Sequence, residues 1–253
     1  MKTNTLLVFA AAFAAAIHST NAQLITNGGF ETPDTLTYIE IYAGQNSIAP
    51  WVVGGHSVEV GDAIGNGFLV GPAFEGGQFL DLNGLQRGRL TQAFATAPGS
   101  LYTVTFAYAN NYYNSSAAAS ARVRIFDGLG DRLNQTITHA SSVAGNYHWT
   151  VFNGQFTALQ NTTSLEFTSL TDTDGHSGGI LLDAVQVTLA LRATLTVQGS
   201  SAMLNWTGGV PPYHVQRATD LTSRDWTDVL TNAVPPVTLP LEHPAEFFRI
   251  VGQ

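Results

Sequence analysis

"TDTDGHSGGILLDAV", residues 171–185, separates two folds. Within it, Gly175-His176-Ser177-Gly178-Gly179 fits the G-x-S-x-G pattern in which a nucleophilic serine sits on a strained turn between a strand and a helix. That arrangement requires a helix after the serine. Residues 180–191, "ILLDAVQVTLAL", instead form an alternating run rich in aliphatic residues that predicts a strand. No strand–helix–strand pattern occurs elsewhere, and the histidines downstream of Ser177, His214 and His243, fall in a separate C-terminal stretch. The calcium-loop reading of the acids also fails. With Asp172 and Asp174 in the third and fifth positions, Leu170 and Leu181 occupy the first and twelfth, where carboxylates are required. Residues 171–179 therefore read as a polar turn entering a strand. As a turn former, Ser177→Ala should change stability by no more than about 0.5 kcal/mol, and a fluorophosphonate probe should leave Ser177 unlabelled.

The same two-residue period recurs outward from this strand. In "LYTVTFAY", residues 101–108, Tyr102, Val104, Phe106 and Tyr108 alternate with Thr103, Thr105 and Ala107. In "ARVRIF", residues 121–126, Val123 and Ile125 oppose Arg122, Arg124 and Phe126. Leu165 and Phe167 oppose Ser164, Glu166 and Thr168. Turn-forming clusters such as "APGS" and "DGLGD" punctuate these runs, and no amphipathic helix of useful length lies beyond residue 22. The pattern predicts an all-β chain. A break near residues 191–193 divides it into a large unit, 23–191, and a smaller one, 192–253, with five or six further strands. Trp51, Trp206 and Trp226 are predicted as core anchors.

The start of the chain predicts export. Met1-Lys2, an apolar run from Leu6 to Ile17 and the small-residue exit "STNA" form a secretory signal over residues 1–22, with cleavage expected after Ala22. The run is too short to span a bilayer comfortably, so no membrane insertion is expected. Cleavage removes the only lysine, leaving nine arginines against eighteen acidic residues, a net charge of −9. Such a surface has no basic stripe to displace phosphate counterions, which argues against a nucleic-acid partner. With no cysteine in the chain, no disulfide stabilises it outside the cell.

Asp183 is the residue that the strand pattern leaves unexplained. It shares parity with Leu181, Val185, Val187 and Leu189, which places a carboxylate on an aliphatic face. A buried carboxylate needs hydrogen bonds, a cationic partner or a metal.

Several stretches, taken in order, carry a family resemblance: "LITNGGFETP" at 24–33, "APW" at 49–51, "EGGQFLDLNG" at 75–84, "LTQAFATAPGSLYTVTFAYA" at 90–109, "EFTSL" at 166–170 and "LLDAVQV" at 181–187. This series resembles the DUF642 family of secreted proteins with its galactose-binding-like domain, and the wider group of jelly-roll carbohydrate-binding modules. The resemblance spans residues 24–189. It implies a jelly-roll, galactose-binding-like β-sandwich with a structural calcium ion near the chain ends of the domain. Carried onto this sequence, the implied ligands are the Gly29 carbonyl, Glu31, Glu75, the Gln78 carbonyl and Asp183, all hard oxygen donors as calcium requires. Plant members of the family carry cysteines, and this chain departs from them. The C-terminal unit, "YHVQRATDLTSRDWTDVL" onward, resembles the fibronectin-type-III-like tail of bacterial exported proteins.

Sugar rings stack on exposed aromatic faces while polar side chains read their hydroxyls. Tyr112 and Tyr113 lie past a strand in the Asn-rich stretch "YANNYYNSS", residues 108–116, and "GNYHWT" adds Tyr147 and Trp149. Arg122 and Arg124 face away from Val123 and Ile125, where they can meet hydroxyls or uronates. The expected function is non-catalytic binding of a polysaccharide or other glycan, or association with the cell surface or matrix, with a purely structural or adhesive role as a further reading. The alternative is a polysaccharide lyase or glycosidase on the same scaffold.

Overall fold

The computed structural model describes residues 23–63, 71–112, 118–172, 178–222 and 225–252. Ser177, Tyr113 and the segment 1–22 lie outside the described residues. Among the described residues there is no α-helix, and none is long and apolar enough to cross a membrane.

Two antiparallel sheets form the large unit. One runs in the order β1 (Tyr38–Tyr42), β3 (Ser57–Asp62), β4 (Gln78–Asp81), β11 (Ile180–Leu189), β6 (Leu101–Asn110), β9 (Thr150–Thr157). The other runs β2 (Val52–Gly55), β5 (Gly88–Ala95), β10 (Thr162–Ser169), β7 (Ala119–Asp127), β8 (Gly130–His139). Apart from the in-sheet neighbours β3–β4 and β7–β8, successive strands cross between the sheets, which gives a jelly-roll β-sandwich. Its core follows the alternation in the sequence. Tyr102, Val104 and Phe106 of β6 meet Val123 and Ile125 of β7 and Leu165 and Phe167 of β10. Phe106 stacks on Phe152 at 4.7 Å and meets Phe167 edge-on at 4.9 Å between centroids. Trp51 is buried against Phe30 and Phe167, and its indole N–H donates to the Asn27 carbonyl at 2.9 Å.

A smaller set of strands completes the chain. β12 (Arg192–Gln198), β13 (Ser201–Thr207) and β16 (Val237–Pro240) form one three-stranded sheet; β15 (Thr227–Leu230), β14 (His214–Ala218) and β17 (Phe247–Val251) form another. Trp206, Tyr213, Val215 and Leu239 make their separate core. Trp226 corrects the expectation of a core anchor: it is half-buried at the surface, with the Arg249 guanidinium 4.4 Å above its ring.

The strand β11 departs from simple alternation. Its pairing with β6 shifts register between Asp183 and Gln186, so one extra residue is accommodated there. Ile180, Leu182, Val185 and Val187 face the main core, whereas Leu181 faces the opposite way. The parity that grouped Asp183 with Val185 and Val187 is therefore broken by the bulge. Leu181 joins Phe79, Ala109 and Tyr147 in a second small core on the outer face of the six-stranded sheet.

Candidate functional site

The segment "NGGFE", residues 27–31, closes the sandwich against this bulge. The Val185 N–H donates to the Gly28 carbonyl at 2.9 Å, and a side chain on Gly28 would run into the Val185 carbonyl oxygen. Gln23 and Leu24 extend the contact along β11 through Val187. Thr26 exchanges two hydrogen bonds with the Gln92 amide of the other sheet, so the segment ties both sheets together. Phe30 is fully buried with φ of 59°, a left-handed conformation that costs energy for a bulky residue. That twist sends the Phe30 ring into the core and Glu31 toward residues 75–78. There the Glu31 Oε1 accepts the Gly77 and Gln78 N–H groups, each at 2.9 Å.

Asp183 lies directly beneath the same loop. Its side chain is wholly buried; Oδ2 accepts the N–H groups of Phe74 at 2.8 Å and Glu75 at 3.1 Å, and Oδ1 accepts that of Ala184 at 2.6 Å. Ala184, in the bulge, has φ of 51°, a further left-handed residue beside Asn27 and Phe30 at this end of the domain. Burial pushes the Asp183 carboxyl up to about 7 despite these three donors, and the negative charge of Glu75 pushes the same way. The Glu75 Oε1 stands 2.8 Å from where a Gly29 side chain would begin. Glu31, Glu75, Asp183 and Gly29 are thus gathered around one cradle, and none of the three acids has an ion-pair partner among the described residues. Three carboxylates without an ion-pair partner are hard oxygen donors of the type a divalent cation takes. The Gln78 side-chain amide donates to the Phe30 and Pro33 carbonyls and accepts from the Thr35 N–H, which pins the loop. The three carboxylates do not draw together as tightly as a closed ligand set. Among the described residues, the acids and histidine whose ligating atoms all lie within 4.8 Å of one another are Glu242, His243 and Glu246 in the C-terminal unit.

The residues expected to meet a ligand scatter over the sandwich. Tyr147 is a correction. It is fully buried, edge-on to Phe79 at 5.4 Å, and offers no ring face to solvent. Trp149 is half-buried beside it, with its indole N–H donating to the Pro72 carbonyl at 3.0 Å. Next to Trp149 stands Phe74, 46% exposed, with centroids 6.3 Å apart. Phe74 is the residue whose N–H is held by Asp183, so the acidic cradle and this aromatic pair share one loop. Tyr112 is half-buried just past Asn111. Arg122 and Arg124 lie on the opposite side of the molecule, on the outer face of the five-stranded sheet.

One buried group does not stand out in the sequence. Asp81, at the end of β4, is wholly buried and accepts four hydrogen bonds: from the Asn83 and Gly179 N–H groups on Oδ1, and from the Gly178 N–H and the Asn111 amide on Oδ2. Burial raises its carboxyl to about 7. Its partners lie up to 98 residues away in the chain, so only the "DLN" turn signal is visible in the sequence. Asp81 also ends a cross-strand row, Glu40–Glu59–Asp81, on adjacent strands β1, β3 and β4.

Among curated proteins, none matches this chain. Solved structures resemble it at low identity. The carbohydrate-binding module TmCBM61, determined in complex with beta-1,4-galactotriose, is 13% identical, with a TM-score of 0.44 over 67% of this chain and 99% of that one. A family 35 carbohydrate-binding module from Clostridium thermocellum is 14% identical, with a TM-score of 0.39 over 61% and 99%. The arabinose-bound α-L-arabinofuranosidase MgGH51 is 15% identical, with a TM-score of 0.42 over 68% of this chain and 27% of the enzyme. The family model of DUF642, described as a protein of unknown function, matches residues 23–188, which is the whole jelly-roll sandwich with its "NGGFE" closure and bulged final strand, and the chain belongs to that family.

Proposed function

We propose that this is an exported, non-catalytic polysaccharide-binding protein whose sandwich is locked by a structural calcium ion. The observation that carries the reading is the shared loop, residues 72–78. One side of it is held by Asp183 and Glu31, and the other carries Phe74 against Trp149. Glu31, Glu75 and Asp183, with carbonyls of Gly29 and Gln78, would hold the ion, which supplies the positive charge the cradle lacks. The side chains of Phe74 and Trp149 then offer apolar faces to sugar rings, with Tyr112 as a further stacking group. The signal segment 1–22 supports export, and exposed ring faces on an acidic surface favour a glycan as ligand.

A few stacking contacts give modest affinity, on the order of micromolar to millimolar. Phe74→Ala, which removes an exposed ring, should weaken retention on a binding polysaccharide by about fivefold or more while shifting the melting temperature little. Unchanged retention across a glycan array would remove the loop from the site. The cross-strand neighbours Glu40 and Glu59, both partly exposed, favour a second reading, a glycosidase that uses paired carboxylates. New reducing ends from a polysaccharide, lost in Glu59→Gln, would select it.

A further inference from the structure

The outer face of the five-stranded sheet has a different chemistry from the rest of this acidic protein. Three of its arginines rise there on neighbouring strands: Arg89 from β5, and Arg122 and Arg124 from β7, with β10 between them. Arg89 and Arg122 both stand opposite Thr168, so they flank it in one cross-strand row. Between them lies the carboxylate of Glu166, 3.8 Å from Arg89 and 3.6 Å from Arg122. These are ion-pair distances without hydrogen bonding, and neither guanidinium donates a hydrogen bond to the protein among the described residues. Their side chains are 52% and 42% exposed. The Arg122 Nε is buried with no acceptor. Arg124 is engaged, with Asp131 at 2.5 Å and the Phe126 ring 4.2 Å below it. Arg89 lies against Gly54, where a side chain would begin 2.7 Å from its Nη2, so the neighbouring strand leaves it room.

One buried acid shared by two half-exposed guanidinium groups leaves planar donor sets with unfilled hydrogen bonds and a local positive charge. Guanidinium groups match carboxylates in shape as well as in charge. We infer that this face binds a polysaccharide bearing carboxylate groups, a polyuronate, through Arg89 and Arg122. The inference rests on the polysaccharide reading only in taking a sugar chain as the occupant; the surface itself lies on the opposite side of the sandwich from Phe74 and Trp149.

The test compares short oligosaccharides of polygalacturonate, alginate and hyaluronan with their carboxyl-reduced forms, a neutral glucan and dextran sulfate, by calorimetric titration of the full mature chain. At least one polyuronate should bind, weaken with added salt, and lose about tenfold or more in affinity on carboxyl reduction. The double variant Arg89→Gln, Arg122→Gln should lose a similar factor, while Arg89→Lys, Arg122→Lys, which keeps the charge, should retain part of it. Should the glutamine pair fail to fold, the lysine pair and the reduced ligands still decide the matter. Equal binding of reduced and native chains, binding untouched by the glutamine pair, or no binding of any polyuronate would overturn the inference. Tighter binding of dextran sulfate would overturn the choice of carboxylate. Retention of a neutral glucan alone would do the same while leaving the polysaccharide reading intact, and binding of no glycan at all would remove both.

Discussion

Gly28→Ala should cost the sandwich about 3 kcal/mol or more, at the upper end of what overpacking does. The added methyl would collide with the Val185 carbonyl oxygen, a backbone atom of the β11 bulge that has no side-chain freedom with which to move aside. The hydrogen bond from the Val185 N–H to the Gly28 carbonyl fixes the same approach from the other direction. Displacement at this point carries Phe30 out of the core and Glu31 away from residues 77 and 78. For a domain with a typical total of about 5–15 kcal/mol, that is a large share. Gly128→Ala is the control, because a methyl there meets nothing within 4 Å. Urea denaturation of the two variants should give well-separated midpoints; coincident midpoints would show that the bulge tolerates the intrusion and that "NGGFE" does not close the domain as described.

Removal of calcium should lower the melting temperature, and the size of that drop should depend on pH in a specified direction. Burial raises the Asp183 carboxyl from 3.8 to about 7 in the cation-free fold. The folded state then holds a proton that the unfolded state has released, between about pH 4 and pH 7. Stability from this group is therefore present at low pH and lost as pH rises through about 7. Asp81 contributes with the same sign. A bound divalent cation requires the deprotonated Asp183 carboxylate, so calcium affinity rises across the same window and binding releases a proton. At a hundredfold excess of calcium over its Kd the gain is roughly 2.7 kcal/mol. The melting-temperature difference between calcium and chelator should thus widen from about pH 5 to about pH 8, and Asp183→Asn should remove most of it. A difference that is absent, or that narrows with rising pH, would exclude Asp183 as a ligand.

The strands of the large unit are legible in the sequence because their alternation is local: Tyr102 to Phe106, Val123 and Ile125, Leu165 and Phe167 all enter the core that their spacing predicts. The bulge is not legible. A single extra residue at 183–186 reverses every facing beyond it, and nothing in "LLDAVQV" marks where the insertion falls. The burial of Tyr147 depends on Phe79, Ala109 and Leu181, which only the strand order brings together, so a tyrosine that reads as free in a loop is a core residue. For the same reason Asp81 carries no signal of its own, since Asn111, Gly178 and Gly179 meet it only after β4, β6 and β11 have paired. Glu31, Glu75 and Asp183, by contrast, are singled out together only through the family resemblance carried by "NGGFE", "EGGQF" and "LLDAV". The structure places Glu31, Glu75 and Asp183 at one end of the domain, with the Gln78 side chain as the brace.

Electrophoresis through gels that contain dissolved polysaccharides is the decisive measurement for the proposed function, because it reads binding, cation dependence and turnover together. The purified mature chain should be retarded by at least one polysaccharide in calcium, run freely in chelator, and leave the polymer at its original length. Free migration through every polysaccharide in the presence of calcium, or a polymer shortened after the run, would contradict it.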